Sequence, residues 1–408
     1  MKWSKKEFKR IRPVAKRIIK QRIIAWVNRI FAEGTMVKNA FHSDYSKRVL
    51  IAYLTEPYKN PTAISLRHTN LTESYTAGKV FHELGFQVDC VNVNSEEKID
   101  FNKYDVFYGI GGTVLPRTFT TSKEMVRIYY APGVHPFFAH AESAYKMRTV
   151  HQNTNTWLTS SYRYSGHINW GYAIYLTDHV IVLGNQFTLA TYTENDVLKE
   201  RYSSLPAFFF ETQQPNFEHK NYTEAKKHFL WFGSMGLTHK GLDICLDIFL
   251  EREDITLHIC GAPRKEHEFW AYYDPLIKGR KNIIVHGFVD IASSEFAAIL
   301  SQCGFVIFPS VSEGGAPALL NVVGNGGLVP IYTKATSVDF EQFGIELPYP
   351  DINLFRQAVN MAAEMTDDNL KQRSINGYNI VRENYTLDRY EENLKKIISD
   401  VLKNKKIL

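Results

Sequence analysis

The chain has 408 residues, 44% hydrophobic and 22% charged, the size and composition of two or three soluble globular domains. Its net charge of +5 is uneven: residues 1–43 hold 12 Lys and Arg against Glu7 and Glu33, while the other 365 hold 36 basic and 41 acidic residues. That distribution does not support a nucleic-acid-binding body. Cys90, Cys245, Cys260 and Cys303 lack CxxC spacing, which argues against a disulfide frame or a zinc site and for reduced thiols in the cytoplasm.

The basic head comes first. Phe8, Ile11, Ile18, Ile19, Ile23, Trp26, Val27, Ile30 and Phe31 fall largely on one helical stripe, with Lys9, Arg10, Lys16, Arg17, Lys20 and Arg22 around it. A basic helix with Ile, Phe and Trp opposite its charges suits an anionic membrane surface, and residues 1–34 are expected to bind one peripherally. A helix packed on its own domain or on a partner subunit gives the same pattern. No cleavable signal and no membrane-spanning run is expected.

From Arg48 onward strands and helices alternate. Strands are expected at Arg48–Leu54, Gln87–Val93, Val106–Ile110, Arg127–Tyr130 and Asp178–Leu183, with a helix at Ser74–Leu84 that Gly85 ends. Residues 204–226, with Pro206, Gln213, Gln214, Pro215 and Asn216, interrupt this rhythm as a hinge. A second series follows: His228–Phe232, a helix near Leu242–Glu251, Thr256–Cys260, Asn282–Val285 and Phe305–Phe308. An amphipathic helix, Leu387–Leu402, closes the chain. The expected organisation is a head at 1–43, α/β halves at 44–205 and 227–385 joined by a linker at 206–226, and a final helix at 386–408. Each half is a parallel sheet with helices on both faces, and the ligand lies in the cleft between them.

Two loops of the second half carry the chemistry. Gly233-Ser234-Met235-Gly236 closes a strand and leads through His239 to Lys240 and Gly241, so small residues and a lysine precede a helix. Backbone donors, a helix dipole and one mobile cation fit a phosphate; the spacing matches neither a Walker A loop nor GxGxxG. The apolar run Phe305–Phe308 ends at Pro309, passes Ser310, Ser312 and Glu313, turns at Gly314 and Gly315, and enters a helix from Ala318. A carboxylate at such a strand–turn–helix junction faces the crevice where open α/β sheets bind ligands.

FGSMGLTHKGLDICLDIF, HICG at 258–261, VHGFVD at 285–290 and PSVSEGGAPALLN at 309–321 together resemble the C-terminal domain of GT-B glycosyltransferases, nearest the retaining family 4 type. The resemblance covers residues 228–345 and is only architectural over 48–200. It implies two Rossmann-like domains facing a cleft. It also implies that Lys240 binds the donor diphosphate beside Gly233, Ser234 and Gly236, that Gly287 and Phe288 meet the nucleobase, and that Glu313 engages the donor sugar near Gly314 and Gly315. Ser234 stands where the family carries an arginine, and Asn321 where it carries the ribose-binding glutamate. His135, after Ala131-Pro132-Gly133-Val134, stands where the family places a histidine against the donor sugar; His68, which follows Arg67, and His140, Glu142 and His151 are candidate acceptor contacts.

The expected function is transfer of a sugar from a nucleotide-sugar donor to a lipid-linked or polymeric acceptor in surface glycan synthesis. The resemblance implies a retaining outcome. The absence of Asp-X-Asp points to no metal and no other cofactor, with Lys240 and a helix dipole stabilising the leaving diphosphate. A catalytically weakened subunit that binds a partner transferase is the alternative, motivated by Ser234 and Asn321.

Overall fold

The computed structural model describes residues 36–60, 68–158, 174–194, 196 and 198–408. Residues 1–35 of the basic head and Arg67 lie outside the described residues. Two six-stranded sheets, parallel throughout, form the frame. In the first half, β1 (Lys47–Tyr53), β2 (Phe86–Asn92), β3 (Val106–Gly109), β4 (Val126–Ala131), β5 (His179–Leu183) and β6 (Tyr202–Leu205) lie in the order β2-β1-β3-β4-β5-β6. In the second, β7 (His228–Phe232), β8 (Thr256–Cys260), β9 (Ile283–Gly287), β10 (Phe305–Phe308), β11 (Val329–Thr333) and β12 (Ile345–Leu347) lie in the order β12-β11-β10-β7-β8-β9. Val49–Tyr53 and Phe305–Phe308 are buried at every residue, as apolar runs in a doubly covered sheet must be.

The longer helices are α1 (Thr69–Glu83), α2 (Pro136–Thr154), α3 (Gln186–Thr193), α4 (Leu242–Leu250), α5 (His267–Ile277), α6 (Ser294–Gln302), α7 (Pro317–Gly326), α8 (Ile352–Ala363), α9 (Asp367–Asn384) and α10 (Leu387–Asn404). The first of these begins at Thr69, five residues ahead of the expected Ser74, because its first turns are buried on Thr69, Thr72 and Glu73 rather than on apolar residues. No helix among the described residues is long and apolar enough to cross a membrane. All four cysteines are buried and free.

Two elements join the halves. Helix α2 belongs to the first half by sequence, yet Met147 and Val150 pack into the second half's core with Leu242, Leu246 and Phe249. In return α10 packs on the first half: Tyr390 Oη donates to Tyr130 Oη at 3.1 Å, and Lys79–Glu391, Lys395–Glu83 and Lys405–Asp178 pair at 2.5, 2.7 and 2.5 Å. The connecting segment after Pro206 is not a solvated hinge at its start, because Phe208, Phe209 and Phe210 are buried. Phe209 N–H donates to Tyr385 O at 3.0 Å, so the outgoing and returning crossings lie side by side.

Candidate active site

Parallel pairing puts the C-terminal ends of β10, β7, β8 and β9 in one row, and their loops form one edge of the second half. The loop after β7 ends at Lys240 and Gly241, the last residues before α4. Lys240 Nζ donates to Glu313 Oε1, in the loop after β10, at 2.6 Å, with side chains 8% and 10% exposed. Ser310 Oγ donates to the same oxygen at 3.0 Å, and the ammonium lies 5.3 Å from the centre of the Phe308 ring. Glu313 N–H donates to Ala335 O at 2.9 Å, which fixes the carboxylate's backbone. Residues some 70 apart in sequence thus meet as a buried, hydrogen-bonded ion pair.

The turn after Glu313 touches the other half. A Cβ on Gly314 would stand 2.2 Å from Pro132 O, so only glycine permits the approach of the two backbones. Gly315 packs against Ala207 and Gly184. Ala316, which caps α7, has φ +37°, a left-handed conformation that disfavours a Cβ by about 1–2 kcal/mol. Such backbone strain concentrates where ligands are held.

His135 is placed by its role at the start of α2. It is 1% exposed, its Nδ1 accepts Phe137 N–H at 3.2 Å, and its Nε2 meets Tyr175 Oη at 3.3 Å, so both ring nitrogens are engaged within the first half. Burial pushes its pKa down to about 4, which keeps the imidazole neutral at pH 7. Its main chain lies two residues from Gly133, at the contact with Gly314.

Asn321 lies in the second turn of α7, and its amide is directed at backbone: Oδ1 accepts Phe210 N–H at 2.9 Å and Nδ2 donates to Pro317 O at 2.8 Å. Gly233 and Gly236 lie in the buried wall of the β7 loop, and Ser234 with Met235 forms its exposed tip. Gly287 ends β9 beside open space, and the Phe288 ring is 66% exposed. His140 and Glu142 lie half-buried in the first two turns of α2, where burial raises the Glu142 carboxyl. His151 is about three turns further along the helix, stacked on Trp157 at 3.8 Å, and is not gathered with them. His68 is exposed just ahead of α1.

Sequence reasoning passed over three groups that build this region. His239 is 5% exposed and bridges the halves, its Nε2 2.8 Å from Ser312 O and its Nδ1 3.3 Å from Ser143 Oγ of α2. Lys146 of α2 pairs with Asp243 of α4 at 2.7 Å, both under a tenth exposed. Glu266, 2% exposed, accepts the N–H groups of Gly236 and Leu237 at 2.5 and 3.0 Å. Ser143 and Lys146 occupy the buried stripe of α2 where a periodicity search looks for apolar residues, and a lone acid between Lys265 and His267 carries no local signal.

No family model and no protein of curated function matches the chain. Among solved structures, HepE of Anabaena in complex with UDP and glucose superposes with a TM-score of 0.56 at 11% identity, covering 87% of this chain and all of that one. Sucrose-phosphate synthase from Thermosynechococcus elongatus superposes at 0.60 and 10%, covering 88% of this chain and all of the synthase. TarM gives 0.52 and 14% over 74% of this chain. The chain spans just over half the length of TarM, 55%. These are two-sheet proteins of one architecture. The chain has the GT-B fold. In the GT-B arrangement the row of loops above β10, β7, β8 and β9 is one wall of the central cleft, and Pro132–Gly133 approaches it from the other half. Among the described residues no three His, Cys, Asp or Glu side chains are arranged as a metal site.

Proposed function

We propose that the protein is a glycosyltransferase that moves a sugar from a nucleotide-sugar donor to a lipid-linked or polymeric glycan acceptor in surface glycan synthesis. The Lys240–Glu313 pair carries this reading: a cation and a carboxylate, drawn together from the ends of β7 and β10, stand beside the contact between the GT-B halves. Along the row of loops come Glu313, Lys240, and then Gly287 with Phe288. That is the order of sugar, diphosphate and base in a nucleotide sugar, over three strand spacings of roughly 4.8 Å each.

In this mechanism Lys240 and the N-terminal end of α7 take up charge on the departing diphosphate, without a metal or other cofactor. Glu313 exchanges part of its contact with Lys240 for donor-sugar hydroxyls, and Ser310 keeps the carboxylate oriented. His135, neutral and capping α2, holds Pro132–Gly133 against Gly314 and so shapes the sugar's side of the cleft. His68, His140 and Glu142 line the approach for the acceptor. Retention of anomeric configuration follows the family 4 resemblance. A membrane-bound acceptor agrees with the basic head at 1–34, whose charge and apolar stripe support a peripheral position on the inner face of the cell membrane.

Neighbours solved with UDP make UDP-sugars the first donors to try. Thermal shift with UDP, GDP and dTDP should show one nucleotide raising the melting temperature, since a ligand bound only by the native state stabilises it. Turnover with the matching nucleotide sugars and a lipid-linked acceptor completes the test. A protein that binds no nucleotide and turns over no donor is instead the partner-binding subunit, a reading that the backbone-directed amide of Asn321 favours.

A further inference from the structure

Glu266 enters the glycine loop from outside and meets its backbone. It closes the loop after β8, one residue ahead of α5, and both of its oxygens reach across to the loop after β7. At Gly236, φ is +86°, and two successive N–H groups, those of Gly236 and Leu237, meet one carboxylate, one at each oxygen. Convergent backbone N–H groups of this kind make an anion seat. The sequence marks that seat for a phosphate; in the fold a carboxylate of the protein occupies it.

Burying a carboxylate is unfavourable unless charge-assisted hydrogen bonds replace its water, and the two N–H donors do so here. The effect on the loop is specific. Lys240 N–H donates to Gly236 O at 2.8 Å, and Lys240 O accepts Trp231 Nε1–H at 3.1 Å. The peptide that Glu266 seats is therefore the one on which the Lys240 backbone rests. Without the carboxylate, the turn at Gly236 loses both acceptors, and the base of Lys240 loses its fixed reference.

We propose that Glu266 is a positioning residue for the donor diphosphate: by holding the Gly236–Leu237 turn it sets the reach of Lys240. On this view the turn's own N–H groups are structural, and the phosphates are met by Lys240 and the start of α7. The inference rests on the nucleotide-sugar reading given above.

The test uses the full chain and isothermal titration with UDP, with inorganic pyrophosphate and with uridine. The variants are Lys240→Ala, Glu266→Ala, Glu266→Gln and Lys240→Ala/Glu266→Ala. Glu266→Ala should weaken UDP and pyrophosphate about ten-fold or more, the loss of one well-placed charged contact, and leave uridine within about two-fold. Glu266→Gln keeps the shape and one acceptor oxygen, so it should fold normally and lose less. In the Lys240→Ala background, Glu266→Ala should add nothing, because its effect passes through that lysine. A strap that only stabilises the fold would lower affinity for all three ligands alike and add fully to Lys240→Ala, which overturns the proposal. Tighter pyrophosphate binding by Glu266→Ala also overturns it, since the freed N–H groups would then be the phosphate site. If wild type binds none of the three, nor GDP or dTDP, the donor reading fails and the proposal falls with it. If wild type binds and Lys240→Ala weakens UDP while both Glu266 variants do not, the positioning role alone is wrong.

Discussion

Lys240 and Glu313 stabilise each other as a buried pair, and that makes their single substitutions ambiguous. Removing one partner strands the other charge away from water, at roughly 3–5 kcal/mol, so Lys240→Met or Glu313→Gln alone should lower the denaturation midpoint as well as activity. Lys240→Met/Glu313→Gln leaves no buried charge unpaired. It should recover most of the midpoint in urea and stay inactive with every donor; recovered turnover would remove the pair from the chemistry. A second residue-scale effect concerns acid. Burial, with His228 and His286 alongside, brings the His258 imidazole down to about 4 from an ordinary 6.5. Between those values the unfolded chain binds a proton that the native state refuses, so this residue lowers stability as pH falls from 6.5 to 4. Neighbouring groups also titrate, so the comparison is with His258→Gln, whose melting temperature should fall less steeply over that range. Parallel curves would show that His258 takes no part.

Helix α7 shows at the scale of an element why one helix serves two tasks. Its start follows Glu313, while Asn321 and Asn325, one turn apart, receive the connecting segment on its flank. Asn325 Oδ1 accepts the N–H groups of Thr212 and Gln213 at 2.8 and 2.9 Å, and its Nδ2 donates to Phe210 O at 2.9 Å. Asn325→Ala leaves buried backbone groups without partners, and the expected loss is about 1–3 kcal/mol in chemical denaturation. A loss no larger than that of a surface alanine substitution would mean that the crossing is held elsewhere. The same helix shows what could be read beforehand. The strand Phe305–Phe308, the turn at Glu313 and the helix after it were legible because apolar run, glycine pair and helix period agree along a single stretch. The use of Asn321 was not, since the residue it binds, Phe210, lies 111 positions away and is chosen by packing. Strands β6 and β11 escaped for local reasons: Tyr-Ser-Ser-Leu is too polar and short, and Pro330 within β11 argues against a strand. Helix α2 escaped because its buried stripe includes Ser143 and Lys146.

In the whole molecule polar contacts between the halves land beside Lys240 and Glu313. Ser143 meets His239, the residue before Lys240, and Lys146 pairs with Asp243, three residues after it. Gly314 meets Pro132 beside Glu313. These contacts tie the seating of the halves to the backbone that carries Lys240 and Glu313, so loosening the Lys146–Asp243 pair is expected to disturb both together. Lys146→Met removes the cation and leaves Asp243 in a dry interface, where the nearby Asp247 carboxyl is already raised to about 6, chiefly by burial and then by Asp243. Separation of the halves returns Asp243 to water, so the variant should show a larger radius of gyration in small-angle scattering. It should also have a several-fold higher KM for the donor, with secondary structure unchanged by circular dichroism. Lys146→Met/Asp243→Leu replaces the pair with apolar side chains that the surrounding Met147, Leu242 and Leu246 accept, and should return scattering and KM toward wild type. If Lys146→Met scatters as wild type does and keeps its donor KM, the ion pair between α2 and α4 has no part in seating the halves, which then rests on the remaining contacts, Ser143–His239 and Pro132–Gly314 among them.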